Sequence, residues 1–281
     1  MAKQYAATIL VLVFIIRGLT CNQITRLLLA INSTDGDGVD SGKFRKMMYR
    51  ALSWLEEQQW VQRDFITVNQ KKPYYIVQLT AKGLEEAKDD LAILPGHMGT
   101  GFNADFGDFP IELQRPFEKS SSQNVAHHLM TADLFVELVL IRYSQEKQGK
   151  PCLDFRDGRY CAREYTWEEK VCRFRPDGEL LTVDGKTYFL EVDRGTEDGP
   201  SLQNKFNGYH RYFTWLLQQG RELPSGIIFL SSATGKTGFV RRWITCLQAF
   251  IEEMKEWYLD INLIVTTTES LKQLLEYMYK C

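Results

Sequence analysis

Three carboxylates fall close together where strands are expected. Asp177 opens Asp177-Gly178-Glu179, and Glu191 and Asp193 stand two apart in Tyr188-Phe189-Leu190-Glu191-Val192-Asp193, beyond a turn at Asp184-Gly185-Lys186. The spacing predicts two short strands joined as a hairpin. Strand side chains alternate, so Phe189, Glu191 and Asp193 share one face while Tyr188, Leu190 and Val192 share the other. Two acids on one strand face, opposite a third from the neighbouring strand, make a donor set for a divalent cation, Mg²⁺ or Mn²⁺. The competing reading is an acidic strand end paired with Arg173, Arg175 or Arg194.

The residues around these acids resemble known proteins. Pro176-Asp177 some fourteen residues before an acid-x-acid strand resembles the core of the PD-(D/E)XK nuclease superfamily. The fuller string resembles the replication-relaxation family of bacterial plasmids and mobile elements. It runs through Pro176-Asp177-Gly178 and Glu191-Val192-Asp193-Arg194-Gly195-Thr196-Glu197 to Leu202, Lys205, Tyr209 and Tyr212. The nuclease resemblance implies that Asp177 and Glu191 hold the metal, with Asp193 beside them, and that water attacks a phosphodiester. It also implies a lysine two residues after the strand acid. That position is Asp193, so Lys205 is the substitute, with Tyr209 and Tyr212 following at helical spacing. The catalytic set is therefore Asp177, Glu191, Asp193 and Lys205. The departure leaves two readings open: metal-dependent DNA nicking, or a non-enzymatic DNA-binding regulator or relaxosome accessory with a degenerate nuclease fold. Tyr209 and Tyr212 are the fallback nucleophiles, and one of His127 and His128 is expected to face the acids.

The N-terminal segment is ordered like a winged helix-turn-helix. Apolar residues recur at helical spacing over 4–17, 22–31 and 41–58, followed by strands at 60–68 and 74–79 and a helix at 81–91. On the third helix Phe44, Met47, Met48, Ala51, Leu52 and Leu55 form the inward stripe. Lys43, Arg45, Lys46, Tyr49 and Arg50 are left outside, suited to phosphates and base edges, with Lys71 and Lys72 at the hairpin tip. A solvated face that docks protein is the competing reading. Residues 1–82 hold eleven Lys/Arg against six Asp/Glu, a surplus of +5, within a chain of net charge −2. The remaining 199 residues therefore carry −7, and the basic half is the one expected to face nucleic acid.

The whole chain of 281 residues reads as two domains, α/β overall. They are a winged helix at 1–92 and a nuclease-like α/β domain with a mixed sheet at 123–281, joined by a Gly/Pro/Ser-rich linker at 93–122. The second domain is predicted to open on a helix at 124–148 and to continue with strands in 152–193. Helices at 202–219, 238–257 and 269–280 then alternate with strands at 226–230 and 261–266. Six scattered cysteines without a Cys-x-x-Cys pair argue against a zinc ribbon and for a reducing, cytoplasmic setting. The apolar run 6–16 is too short to span a bilayer and reads as a buried helix. Asp35-Gly36-Asp37-Gly38 lacks the closing glutamate of a calcium loop. Gly235-Lys236-Thr237 lacks the first glycine of a phosphate-binding loop, Leu230 standing there, so Lys236, Arg241 and Arg242 read as a phosphate-facing patch. Trp167, Trp215, Trp243 and Trp257 read as core. The partners this implies are double-stranded DNA, relaxosome or replication proteins and a second copy of the chain in a homodimer, with no membrane.

Overall fold

The computed structural model describes residues 5–16, 18–32, 41–66, 74–93, 125–151, 153–158, 161–195, 197–232, 235–257 and 260–278. Lys71, Lys72, most of the expected linker and the Asp35–Asp37 loop lie outside them. The described residues form an α/β protein of eight helices and ten strands, divided into two compact units.

In the first unit α1 (Ala6–Ile16), α2 (Cys21–Asn32) and α3 (Ser41–Glu57) precede β2 (Val61–Ile66), β3 (Tyr74–Leu79) and α4 (Ala81–Ile93). A two-residue strand β1 (Leu19–Thr20) adds to the far side of β3, giving an antiparallel sheet in the order β1-β3-β2. The apolar α1 is consumed by this core: Ile9, Leu10, Val11 and Leu12 are buried against α3, α4, β3 and α5 (Val125–Lys147). No helix of the described residues is long and apolar enough to cross a membrane. Polar side chains close the start of α2, where the Gln23 amide oxygen accepts from the Thr20 backbone N–H at 2.8 Å.

The long helix α5, expected to open the second domain, belongs to the first unit. Its face of Ala132, Phe135, Leu138 and Val139 is buried. Polar bonds fix it to α2 and its flanks: Gln23 Nε2 donates to Asp133 at 2.6 Å, and Tyr143 donates to the Ile31 carbonyl at 2.6 Å. Helical periodicity locates an apolar face but is silent on which core receives it.

The second unit is built on a five-stranded sheet, β10-β9-β8-β7-β4. β4 (Asp154–Asp157), β7 (Gly178–Leu181) and β8 (Thr187–Asp193) pair antiparallel, and β8, β9 (Gly226–Ser231) and β10 (Asn262–Thr267) run parallel. The parallel steps are bridged by α6 (Gly199–Gln218) and α7 (Gly235–Glu253), and α8 (Thr268–Met278) closes the chain's described part. Alternation on β8 and β9 sends Phe189, Ile227 and Phe229 into one core with Phe206, Tyr209 and Phe213 of α6 and Cys246, Ala249 and Phe250 of α7. A separate hairpin, β5 (Arg163–Trp167) with β6 (Lys170–Phe174), adds Tyr165 and Phe174 to that core. The Phe174 ring stacks on Tyr212 with centroids 4.0 Å apart.

Candidate acidic centre

The β7–β8 hairpin forms as its turn residues predict, and its register places the acids. Gly178 pairs with Leu190, so Asp177, just before β7, lies beside the Glu191–Val192 step. There its Oδ2 accepts the Val192 backbone N–H at 2.9 Å. The end of β4 comes in close at this point: a Cβ on Gly158 would sit 2.6 Å from the Pro176 carbonyl oxygen, so only glycine permits the approach. Glu191 lies on the buried face of β8, 5% exposed, beside Phe229 of β9.

Helix α6 supplies the groups that meet Glu191. Asp198 caps the helix, accepting the Ser201 N–H at 2.9 Å, and a proline follows in its first turn. One turn on, Lys205 Nζ lies 2.9 Å from Glu191 Oε2 and 3.0 Å from Glu197 Oε1. Tyr209, at i+4 from Lys205, donates its hydroxyl to Glu191 Oε1 at 2.6 Å. Both oxygens of Glu191 are thus engaged from one helix face. Burial raises the Glu191 pKa to about 7; Lys205 and Tyr209 oppose that rise, and the Asp177 charge adds to it. Burial pulls Lys205 down, but the carboxylates of Glu191, Glu197 and Asp177 outweigh it and hold the ammonium above the ordinary lysine value. Near neutral pH the site is therefore a protonated lysine against a carboxylate that desolvation makes easy to protonate. The lysine's charge is the firmer of the two, because three acids favour it.

Asp193 leaves the group. It is fully buried, and Arg242 of α7 takes its carboxylate from two sides, Nη2 donating to Oδ1 at 2.7 Å and Nε to Oδ2. The Gly195 N–H also donates to Oδ1, at 2.8 Å, from a backbone turned to φ +73°. A third bond from Arg242 Nη1 to the Glu197 carbonyl ties down the loop before α6. The expected convergence of three acids is thus a closer association of Asp177 with Glu191, while Asp193 faces an arginine. Among the described residues, no group of three or more His, Cys, Asp or Glu is arranged to hold a metal ion. Arg242 correspondingly faces a carboxylate, not a phosphate patch, and the Lys236 side chain lies outside the described residues.

Other expectations resolve residue by residue. Tyr209 and Tyr212 are buried, and burial pushes both hydroxyls up in pKa, which makes neither an exposed nucleophile. His128 is buried in the first unit with Nε2 3.0 Å from the Gly18 carbonyl. Trp243 is 42% exposed, not core, whereas Trp167, Trp215 and Trp257 pack partly buried against the second unit's core. A buried ionic group went unread: Arg163 Nη2 bonds Glu179 Oε1 at 2.5 Å, and Arg156 Nη1 lies 4.0 Å from Oε2. The only sequence signal for it was the placement of charged residues inside apolar strands.

In the first unit α3 divides as its periodicity requires. Phe44, Met48, Ala51, Leu52 and Leu55 are buried, and Lys43, Arg45, Lys46, Tyr49 and Arg50 are exposed on one helix. On the hairpin behind it the cross-strand pair Phe65 and Tyr75 is also exposed, rings 5.4 Å apart. Nothing in the polar pattern pointed to that pair.

Compared with models of known families, residues 12–223 match the one described as Replication-relaxation, which is most of the chain and includes both α3 and the acidic centre. No curated protein and no solved structure matches.

Proposed function

The chain belongs to the replication-relaxation family, and from that premise we propose that it is a DNA-binding protein of plasmid or mobile-element replication whose second unit nicks DNA with Mg²⁺ or Mn²⁺. Duplex DNA is gripped through a winged helix, with Lys43, Arg45, Lys46, Tyr49 and Arg50 of α3 against phosphates and base edges and Lys71 and Lys72 on the flanking backbone. The observation that carries the cutting role is Lys205 at 2.9 Å from Glu191, beside Asp177. An acid pair with a lysine is the nuclease arrangement, here with the lysine delivered by α6 instead of by the strand.

The donor set fits the cation class. Mg²⁺ commonly uses one or two protein carboxylates and completes its shell with water and substrate phosphate, so Asp177 and Glu191 suffice without Asp193. Glu197 Oε2, buried and without a hydrogen-bond partner, leaves one more oxygen close by. When bound, the ion supplies charge for the phosphoryl oxygens and a more acidic attacking water. Tyr209 holds one Glu191 oxygen in place. The Lys205 ammonium, held against Glu191 and Glu197, would stabilise negative charge growing on the phosphate. Arg242 fixes Asp193 and the Glu197 carbonyl, and so the start of α6 that carries Lys205.

The second reading, a non-cutting accessory, is favoured by one specific observation: both Glu191 oxygens are already satisfied by protein donors. Supercoiled plasmid incubated with the protein and Mn²⁺ or Mg²⁺ separates the two. Nicking that a chelator stops, that Asp177→Asn and Glu191→Gln abolish, and that Lys205→Ala slows at least about 100-fold is the expected result for a proton-handling or charge-stabilising group. Intact plasmid with undiminished DNA binding would establish the accessory.

A further inference from the structure

Helix α7 is apolar on two opposite faces. Its inner face, with Cys246, Ala249 and Phe250, is buried in the core of the second unit, and Arg242 on that side reaches Asp193. Its outer face carries Val240, Ile244, Leu247 and Ile251, spaced 4, 3 and 4 residues apart, which aligns them in one stripe. Val240, Ile244 and Ile251 are 43%, 43% and 47% exposed, Leu247 is half-buried, and Trp243 stands beside them. A helix on the outside of a unit ordinarily turns polar residues to water, and single exposed apolar residues need no explanation. Four exposed ones grouped around half-buried Leu247 at the period of a helix–helix seam do.

We propose that this face pairs with the same face of a second copy of the chain, the two α7 helices lying antiparallel about a twofold axis. Charge along the helix selects the occupant and the direction. Exposed Arg241 flanks the stripe near its start and exposed Glu252 near its end, where one Glu252 oxygen also accepts from Gln203 Nε2 of α6 at 2.5 Å. An antiparallel copy brings each Arg241 toward the partner's Glu252, whereas a parallel copy leaves the two at opposite ends of the contact. The apolar pattern is also close to palindromic. Turned end for end, Val240 meets Ile251 and Ile244 meets Leu247, so a self-complementary contact follows from one sequence. The helix has 19 residues, about 28 Å of length. A single helix face is a small contact beside the roughly 800 Å² per partner of a standard interface, so the dimer is expected to be weak, on the order of micromolar. α7 lies beyond residues 12–223, so the pairing is not carried over from the family match and stands independently of the nicking proposal.

Sedimentation equilibrium of the full chain from roughly 1 to 100 μM tests this, that range bracketing a micromolar dissociation constant. The expected result is a monomer–dimer equilibrium that Ile244→Glu weakens at least about tenfold, with far-UV circular dichroism unchanged because the position is exposed. Arg241→Glu and Glu252→Arg should each weaken the dimer about threefold, and the double swap should restore it. A monomer throughout the range, its stripe covered by the chain's own first unit or awaiting another protein, overturns the proposal. So does a dimer indifferent to Ile244→Glu, or a double swap that fails to restore what the single reversals removed.

Discussion

Glu191 is the residue on which the two functional readings diverge, and its titration can be followed without substrate. Its folded pKa is raised from 4.5 to about 7, chiefly by burial. A raised folded pKa stabilises the protein below the unfolded value, and that contribution is lost as pH rises through the folded one. Lys205 is also raised, but it stays charged throughout this window and so adds no slope. Between pH 5 and 8 the wild type should therefore lose on the order of 2 kcal/mol of stability relative to Glu191→Gln, which has no proton to release. Urea titrations of the two proteins at both pH values measure it; parallel stability curves would show that Glu191 stays ionised even at pH 5. Part of this centre was legible in the chain. Alternation put Glu191 on the inward face, and Lys205 and Tyr209 at i and i+4 had to share one face of a helix. The Arg242 partner of Asp193 was not legible, because it lies 49 residues away on α7, a separation at which neither period nor spacing carries information.

At the scale of elements, the strands and helices read well wherever turn chemistry and period agreed, as for β7–β8 and α6. The hairpin β5–β6 shows where they did not. Its tip, Glu168-Glu169, holds both residues in the left-handed region at φ 46° and 64°, with neither the glycine nor the asparagine that marks such turns. Two non-glycine residues there are strained, so Glu168→Asn combined with Glu169→Gly should raise stability by about 1 kcal/mol, read as an increased melting temperature. A lower melting temperature would mean that the glutamates make compensating contacts. The tie between α7 and β8 runs the other way. Arg242→Ala leaves Asp193 as a buried unpaired charge and should cost about 3–5 kcal/mol, measured by denaturant unfolding. A cost below about 1 kcal/mol would instead place the pair in the weak class of exposed ion pairs.

For the molecule as a whole, chain length and the Gly/Pro/Ser-rich stretch at 93–122 suggest two domains, and the structure divides into two compact units with α5 in the first. The apolar face of α5 suits either core, and only the fold assigns it to the first, where it is held by Gln23–Asp133, Tyr143–Ile31 and the Arg26–Glu137 pair at 2.6 Å. This changes what must be cut to isolate the part proposed to bind DNA. A fragment of residues 1–92 lacks α5 and leaves its buried surface on α1 and α2 open to water, whereas residues 1–150 keep it. Burying several large apolar side chains contributes about 1.5–3 kcal/mol each, so the longer fragment should unfold cooperatively and the shorter one should be destabilised or aggregate. If α3 is the DNA-reading element, the 1–150 fragment should retain most of the full chain's duplex affinity. Arg45→Ala with Arg50→Ala within it should weaken binding and flatten the dependence of log affinity on log salt by about 2, one unit for each lost phosphate contact. An unchanged salt slope would move the contact off α3. A stable 1–92 fragment that binds as well as 1–150 would show that α5 contributes packing without being needed to form the DNA-binding surface.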